Sequence, residues 1–259
     1  MADLLRRKGA VDDLPQLNRI TVRRPAANIS ATVFAKGTND WNQFTLLELL
    51  GVEYNFLSFP AQASPMYGTP PGPGNYPARL PFPDLVHLHI RRPTPGLKGW
   101  QEQVVDFSPL FLSGDCAKDL RLEWGDVVEI HETDHPLSAQ WNFFPGEQVA
   151  NVKRCLSRQV EIITKGQSTK ITLAPGANAT CFCVKPVLLG SNLLLASSDL
   201  SHVKVTRRVV AGREYHWVVD CSEGRPEPDL WLRDGDKIEV PEKGEASAAA
   251  PGPQTAAPK

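Results

Sequence analysis

Apolar and polar residues alternate along the C-terminal third of the chain in a way that predicts short β-strands. Val203 and Val205 alternate with polar neighbours, which is the period-two pattern of a half-buried strand. A second strand is predicted at residues 215–220 and a third at residues 237–240. Pro241 ends the third strand because its nitrogen cannot donate a ladder hydrogen bond. The pattern predicts a small sheet that is largely antiparallel.

The segment before the third strand has an alternation of its own. Leu230 and Leu232 are expected to face one way, into the core, while Trp231 and Arg233 face the other way. Gly235 lies in an Asp-Gly-Asp sequence, where glycine supplies the positive φ that a tight turn requires. We therefore expect Trp231 at the surface and a turn directly before the last strand.

The same pattern occurs earlier in the chain, which indicates an internal duplication. Three pairs of segments match in the same order: residues 84–90 and 199–205, 104–108 and 218–222, and 122–130 and 232–240. Arg91 and Arg92 then align with Arg207 and Arg208, with Thr206 as a one-residue insertion.

Two local patterns predict further elements. Thr45 and Glu48 have the spacing of a capping box, in which the hydroxyl and the carboxylate each accept a hydrogen bond from a free amide at the helix start. A short helix is expected there. Residues 160–164 and 169–173 are predicted to form a hairpin across residues 165–167.

Composition restricts the classes of function. The chain has 259 residues and a formal net charge of −1, so it shows no sign of a nucleic-acid-binding protein. No apolar run reaches the length of a transmembrane helix. The first 14 residues lack the apolar segment of a signal peptide, which predicts a chain that stays where it is made or a piece of a longer chain.

Histidine and cysteine are the candidate metal ligands. His131 and His135 match H-E-x-x-H, but this motif binds zinc only on a helix, and Pro136 disfavours helical geometry at His135. His87 and His89 lie two residues apart on a predicted strand and are expected to be solvent-facing. The five cysteines form no C-x-x-C pair and are interpreted as small buried hydrophobic residues rather than disulfide partners. The sequence predicts no cofactor.

Phosphate-binding glycine loops and nucleophile elbows do not occur in the sequence. Their absence argues against a nucleotide-dependent enzyme and against a serine hydrolase. The repeated Asp106 and Asp220, each at a strand end, are expected to fix turns rather than to transfer protons.

Residues 199–242 resemble the soluble-ligand-binding β-grasp (SLBB) domain. The resemblance lies in DLSHVKVTR at 199–207, the Val-Asp pair at 219–220 and LRDGDKIEVPE at 232–242. It is strongest to the repeats of bacterial outer-membrane polysaccharide export proteins. The earlier copy departs from the pattern in two places, where Trp124 replaces Asp234 and His131 replaces Pro241.

The resemblance implies an α+β chain of tandem β-grasp-like units with small mixed sheets and short helices. The expected division is a partial unit at 1–27, a unit at 28–135 with a Pro/Gly-rich insertion at 58–83, a connector at 136–159, a unit at 160–243 and a disordered tail at 244–259. Residues 1–27 are included because residues 17–24 echo residues 200–207.

The resemblance also implies a non-enzymatic binding and assembly module of an envelope protein in the periplasm. Its expected partners are a polysaccharide or another soluble ligand, and further copies of the chain or other export-complex subunits. One alternative is a binder of a small cobalamin-type ligand. A second alternative is a metal-dependent hydrolase acting through His131 and His135.

Aromatic and arginine side chains are the candidate ligand contacts, since indole stacks on sugar rings and guanidinium pairs with sugar carboxylates. The candidates are Arg91, Arg92, Arg207, Arg208, Tyr215, Trp217 and Trp231. The alternative for the tryptophans is that they fill gaps in the fold. The residues expected to shape the repeated turn are Gly125, Asp126, Gly235 and Asp236.

Overall fold

The computed structural model describes residues 17–37, 39, 41–57, 80–96, 99–175, 182–208, 212–224 and 230–244. The chain forms two compact units, residues 1–156 with 175–179 and residues 157–174 with 180–259. The predicted α+β class is confirmed, with small mixed sheets and short helices in each unit. Most of the predicted insertion, the tail beyond residue 244 and residues 1–16 lie outside the described residues.

The first unit contains five strands and three short α-helices in its described part. The strands are β1 (Arg19–Arg24), β2 (Ile29–Ala35), β3 (Leu88–Pro93), β4 (Trp100–Val105) and β5 (Val127–Glu129). The helices are α1 (Leu46–Glu53), α2 (Ser108–Ser113) and α3 (Gly146–Leu156). Two 3-10 turns, Pro25–Ala27 and Cys116–Lys118, complete the unit.

The second unit has the same kinds of element in its described part. Its strands are β6 (Arg158–Thr164), β7 (Gln167–Leu173), β8 (Val203–Arg208), β9 (Glu214–Val219) and β10 (Lys237–Val240). Its helix is α4 (Val184–Gly190), and a 3-10 turn, Leu200–His202, leads into β8.

The two sheets have the same strand order and the same pairing directions. The first sheet is ordered β2-β1-β5-β3-β4, and the second β7-β6-β10-β8-β9. In each, the last strand of the unit lies at the centre, parallel to the first strand and antiparallel to the third. The agreement extends to the loops, where the amide of Leu122 donates to the carbonyl of Phe44 (2.8 Å) and that of Leu232 to Phe182 (2.9 Å).

Strand pairing corrects the alignment of the two copies. Opposite β5, Arg91 pairs with Val127, while opposite β10 it is Thr206 that pairs with Lys237. Arg91 therefore corresponds to Thr206, and no insertion is needed. The residue equivalent to Arg207 is Arg92.

Residues 19–24 are the first strand of the first unit rather than part of a third copy. β1 pairs with β2 on one side and with β5 on the other, in the position that β6 occupies in the second unit. The predicted partial unit at 1–27 is therefore wrong for its described part. The missed signal was the partner strand, which lies about 100 residues away in the sequence.

The predictions of a capping box and of a hairpin at residues 160–173 are confirmed. Thr45 accepts a hydrogen bond from the amide of Glu48 (3.3 Å), and the Glu48 carboxylate accepts one from the amide of Thr45 (2.9 Å). The predicted hairpin forms between β6 and β7, across a turn in which Lys165 and Gly166 both have positive φ. These elements depend on residues within a few positions of one another.

The segment around Trp231 differs from its predicted alternation. Leu230, Trp231 and Leu232 are all fully buried. Trp231 packs edge-on against Phe182, with ring centroids 5.4 Å apart, and forms an isolated β-bridge with Cys183. The prediction of an exposed Trp231 is wrong because this segment has protein on both sides, so alternation gives no information on its exposure.

The predicted connector at 136–159 contains part of the first unit. Trp141, Phe143 and Phe144 pack against Tyr54 and Phe111 in one aromatic cluster. Helix α3 follows this cluster and packs against α1 and α2. The unit therefore ends at residue 156, at the end of α3.

A disulfide joins Cys116 to Cys155, with Cα atoms 5.2 Å apart. It links the turn after α2 to the last turn of α3. The interpretation of these two cysteines as hydrophobic residues is wrong, because a pairing across 39 residues depends on the packing of two helices. Cys183 and Cys221 are buried, as expected of small apolar side chains.

Candidate ligand-binding surface

The exposed aromatic side chains of the predicted site lie on β9, an edge strand of the second sheet. Tyr215 and Trp217 share one face of this strand, with parallel rings whose centroids are 5.9 Å apart. Tyr215 is 46% exposed, and Trp217 is half-buried. The guanidinium carbon of Arg207 lies 5.0 Å from the Trp217 ring centroid. These residues form a short aromatic surface with a cation at one end.

The guanidinium of Arg207 is bound by the buried carboxylate of Asp236. Its Nε and Nη2 donate to the two oxygens of Asp236 at 2.8 and 2.6 Å, and Nη2 also donates to the Trp231 carbonyl at 2.9 Å. Asp236 is fully buried and accepts a further hydrogen bond from the amide of Arg233 (2.8 Å). Asp236 therefore ties β8 to the turn that precedes β10.

The first unit contains the same arrangement. Arg92 donates to both oxygens of Asp126 at 2.9 and 2.8 Å, and the amide of Glu123 donates to Asp126 at 2.8 Å. The hydrogen bond to Asp126 raises the pKa of Arg92 above its ordinary value. We call the pairs Arg92–Asp126 and Arg207–Asp236 the two Arg–Asp clamps.

The clamps explain why the Gly-Asp turn occurs twice. Gly125 and Gly235 adopt positive φ, at 101° and 79°. Each donates its amide to the first strand of its unit, at 2.7 Å in both cases. Glycine permits this backbone geometry, and the following aspartate anchors it.

The other two arginine candidates differ in exposure. Arg208 is largely solvent-exposed and pairs with Glu214 at 2.6 Å, which raises the pKa of Arg208 and lowers that of Glu214. Arg91 lies over the Trp100 ring at 4.9 Å and pairs with Glu102 (3.2 Å). Arg208 pairs with Glu214 across the strands, whereas Arg207 pairs with Tyr215, so Arg208 lies on the face of the sheet opposite the β9 aromatic rings.

Trp231 belongs to the core rather than to the surface. The guanidinium of Arg158 lies 4.0 Å from the Phe182 ring centroid and 5.7 Å from that of Trp231. Arg158 also donates to the carbonyl of Leu232. Burial, together with the positive charges of Arg233 and Arg207, holds the pKa of Arg158 well below its ordinary value.

The aromatic surface is not repeated in the first unit. Pairing of β3 with β4 places Gln101 opposite Arg92, and Gln103 opposite Ile90. Tyr215 and Trp217 hold the same positions on β9, opposite Arg207 and Val205. The two units therefore share the clamp but not the aromatic residues of the edge strand.

The repeated aspartates have the turn-forming role that their sequence positions predict. Asp106 accepts hydrogen bonds from the amide (3.0 Å) and hydroxyl (2.7 Å) of Ser108, and Asp220 is bound in the same way by Ser222. At the start of the third strand of the second unit, Asp199 accepts a hydrogen bond from Ser201. The hydrogen bond from the Ser201 hydroxyl, despite partial burial, holds the pKa of Asp199 below its usual range.

The H-E-x-x-H segment is extended rather than helical, so its histidines do not share a helix face. His135 stacks on Phe82 with centroids 4.0 Å apart and contacts the Glu132 carboxylate at 2.7 Å. His131 contacts His89 instead, with centroids 5.3 Å apart. The predicted hydrolase alternative therefore lacks the geometry its motif requires.

The described part of the first unit has at least two surface clefts. One, of about 440 Å³, is lined in part by Trp124, Arg92 and Glu123. The other, of about 390 Å³, is lined in part by Trp141 and Phe143. Neither cleft was predicted from the sequence, because the residues that line each cleft come from segments that are far apart in the chain.

Comparison with known proteins gives no matching family model and no significantly similar curated protein. None of the helices in the described ranges is long and apolar enough to span a bilayer.

Proposed function

We propose that the chain is a non-enzymatic binding and assembly module built from two β-grasp-like units of the SLBB type. The observation that carries this proposal is the shared architecture, with the same five-strand order and an Arg–Asp clamp in each unit. Two units with the same strand order and different surface residues suit a protein that binds partners.

The proposed ligand is a saccharide held by the second unit. The parallel rings of Tyr215 and Trp217 offer a face for the C–H groups of a sugar. Arg207 contributes by orienting Trp217, since its own charge is neutralised by Asp236. An open surface of this kind binds weakly, which suits a polymer that must also be released.

The proposed location is the periplasm or cell envelope. The Cys116–Cys155 disulfide supports this location, because disulfides persist in oxidising compartments and are rare in the cytosol. In this setting the units would assemble with further copies of the chain or with other subunits of a polysaccharide export complex.

Calorimetric titration with acidic and neutral oligosaccharides tests the ligand. Trp217→Ala and Tyr215→Ala are expected to weaken binding by roughly tenfold each, the loss of about 1.4 kcal/mol of stacking. Val218→Ser is the matched control, since Val218 is 63% exposed on the opposite face of β9. Equal binding by all three folded variants, or no binding by the unchanged protein, would refute the saccharide proposal.

The small-ligand alternative has one observation in its favour, the aromatic-lined cleft of about 390 Å³ in the first unit. Such a cleft suits an apolar ligand smaller than a cobalamin, since drug-sized pockets span about 300–1,000 Å³. Quenching of Trp141 fluorescence by a ligand, lost in Phe143→Ala but retained in Trp217→Ala, would favour this alternative.

A further inference from the structure

Two histidines of the first unit lie together on the outer face of its sheet. His89 is on β3, between the core residues Leu88 and Ile90, and His131 follows the core residue Ile130 just beyond β5. Because side chains alternate across a strand, both imidazoles point away from the core. β3 and β5 are antiparallel neighbours, so the rings meet diagonally across the pair.

The remaining four of the six histidines in the chain have polar partners. His87 contacts Asp84, His135 contacts Glu132, His202 contacts Asp199 and His216 contacts Thr206, at 2.7 to 3.0 Å. No described residue hydrogen-bonds the ring nitrogens of His89 or His131, and both rings are half-buried. Their nitrogen lone pairs are therefore available to an external ligand.

We propose that His89 and His131 form a two-histidine binding site for a late first-row divalent cation such as Zn²⁺, Ni²⁺ or Cu²⁺. Two imidazoles bound tetrahedrally to one ion have centroids roughly 5 Å apart, because each nitrogen lies about 2 Å from the metal. The observed separation is 5.3 Å, close to this distance. Imidazole is the ligand that these cations share.

Water completes the coordination of the ion. The described residues contain no group of three or more histidine, cysteine or acidic side chains placed to hold a metal. Glu129, which pairs with His89 across the strands, is engaged by Arg23 at 3.2 Å and Arg91 at 3.4 Å. The proposed ion therefore links two strands and keeps coordination positions open to water. This arrangement differs from an H-E-x-x-H site, in which both histidines lie on one helix.

The second unit lacks the site and provides an internal comparison. Lys204 pairs with Glu239 as His89 does with Glu129, and the carbonyls of Pro241 and His131 accept equivalent hydrogen bonds from Asp199 and Asp84. Lysine and proline stand where the first unit has its two histidines. A site of this kind is thus a property of one unit and not of the shared fold.

Calorimetric titration of the full chain with Zn²⁺ tests the proposal. The unchanged protein is expected to bind one equivalent, and His89→Ala or His131→Ala should each weaken binding by roughly tenfold or more. His135→Ala and His202→Ala are matched controls that should bind as before. Zn²⁺ should also raise the melting temperature of the unchanged protein, and this rise should vanish in His89→Ala.

A gain-of-site variant provides a second test. Lys204→His combined with Pro241→His recreates the pair in the second unit and should raise the stoichiometry to about two equivalents. Zn²⁺ binding by the His89→Ala, His131→Ala double variant that equals the unchanged protein would overturn the proposal. Absence of Zn²⁺ binding by the unchanged, folded protein would do the same.

Discussion

At the scale of single residues, the two Arg–Asp clamps each pair an arginine with a fully buried aspartate. Asp126 and Asp236 are both fully buried carboxylates. A buried charge is tolerated only when its partners remain in place, so each aspartate requires its arginine. The sequence predicted the Gly-Asp turns, but it placed Arg92 and Arg207 at the ligand because exposed and clamped arginines look alike in a sequence.

Asp236→Ala is expected to destabilise the second unit by about 3–5 kcal/mol, because Arg207 loses both carboxylate contacts in a partly buried position. Urea denaturation followed by circular dichroism measures the change. Arg208→Ala is the control, since an exposed ion pair contributes about 0–1 kcal/mol. Similar midpoints for the two variants would contradict the role of the clamp.

Trp231→Ala should destabilise the protein by about 3–5 kcal/mol, the range for removing a large aromatic side chain from a core. Tyr215→Ala, at a residue that is 46% exposed, should have a much smaller effect. Thermal melts of both variants check this order. The reverse order would restore the sequence-based expectation that Trp231 faces solvent.

At the scale of elements, local patterns were sufficient where the partners are close in sequence. β10, the β6–β7 hairpin and the capping box of α1 were predicted with near-correct bounds. β1 was misassigned because its neighbours are β2 and the distant β5. The cleft walls and the His89–His131 contact also depend on long-range packing, so no local pattern could reveal them.

The disulfide is expected to stabilise the contact of α2 with α3. Replacing both Cys116 and Cys155 by serine should lower the free energy of unfolding by about 2–4 kcal/mol, since the bond restricts the unfolded chain. Denaturation with and without a reducing agent measures this effect. The agent should destabilise the unchanged protein and have no further effect on the double variant.

At the scale of the whole molecule, the chain consists of two compact units that share a frame and differ in surface chemistry. The first carries a disulfide and a histidine pair, and the second carries the aromatic surface of β9. The described strands and clamp of each unit lie within that unit. The two units therefore differ at positions that the clamps do not use.

Residues 157–244 are accordingly expected to fold in isolation. Every described strand of the second sheet, its helix and its clamp lie in this segment. A single cooperative unfolding transition, together with dispersed amide signals in a nuclear magnetic resonance spectrum, would verify this. A molten or aggregated segment would show that the second unit needs the first.

The position of the last strand in each sheet has a consequence for how the chain is made. β10 is central in its sheet, yet it is the last strand of the described chain to leave the ribosome. Before residues 237–240 emerge, the second unit can form only two separate hairpins, which are marginally stable in water. The inner edges of β6 and β8 stay unpaired during that interval and can pair with other nascent chains. A chain cut short by a few residues before β10 would therefore lose the sheet as a whole rather than one strand of it.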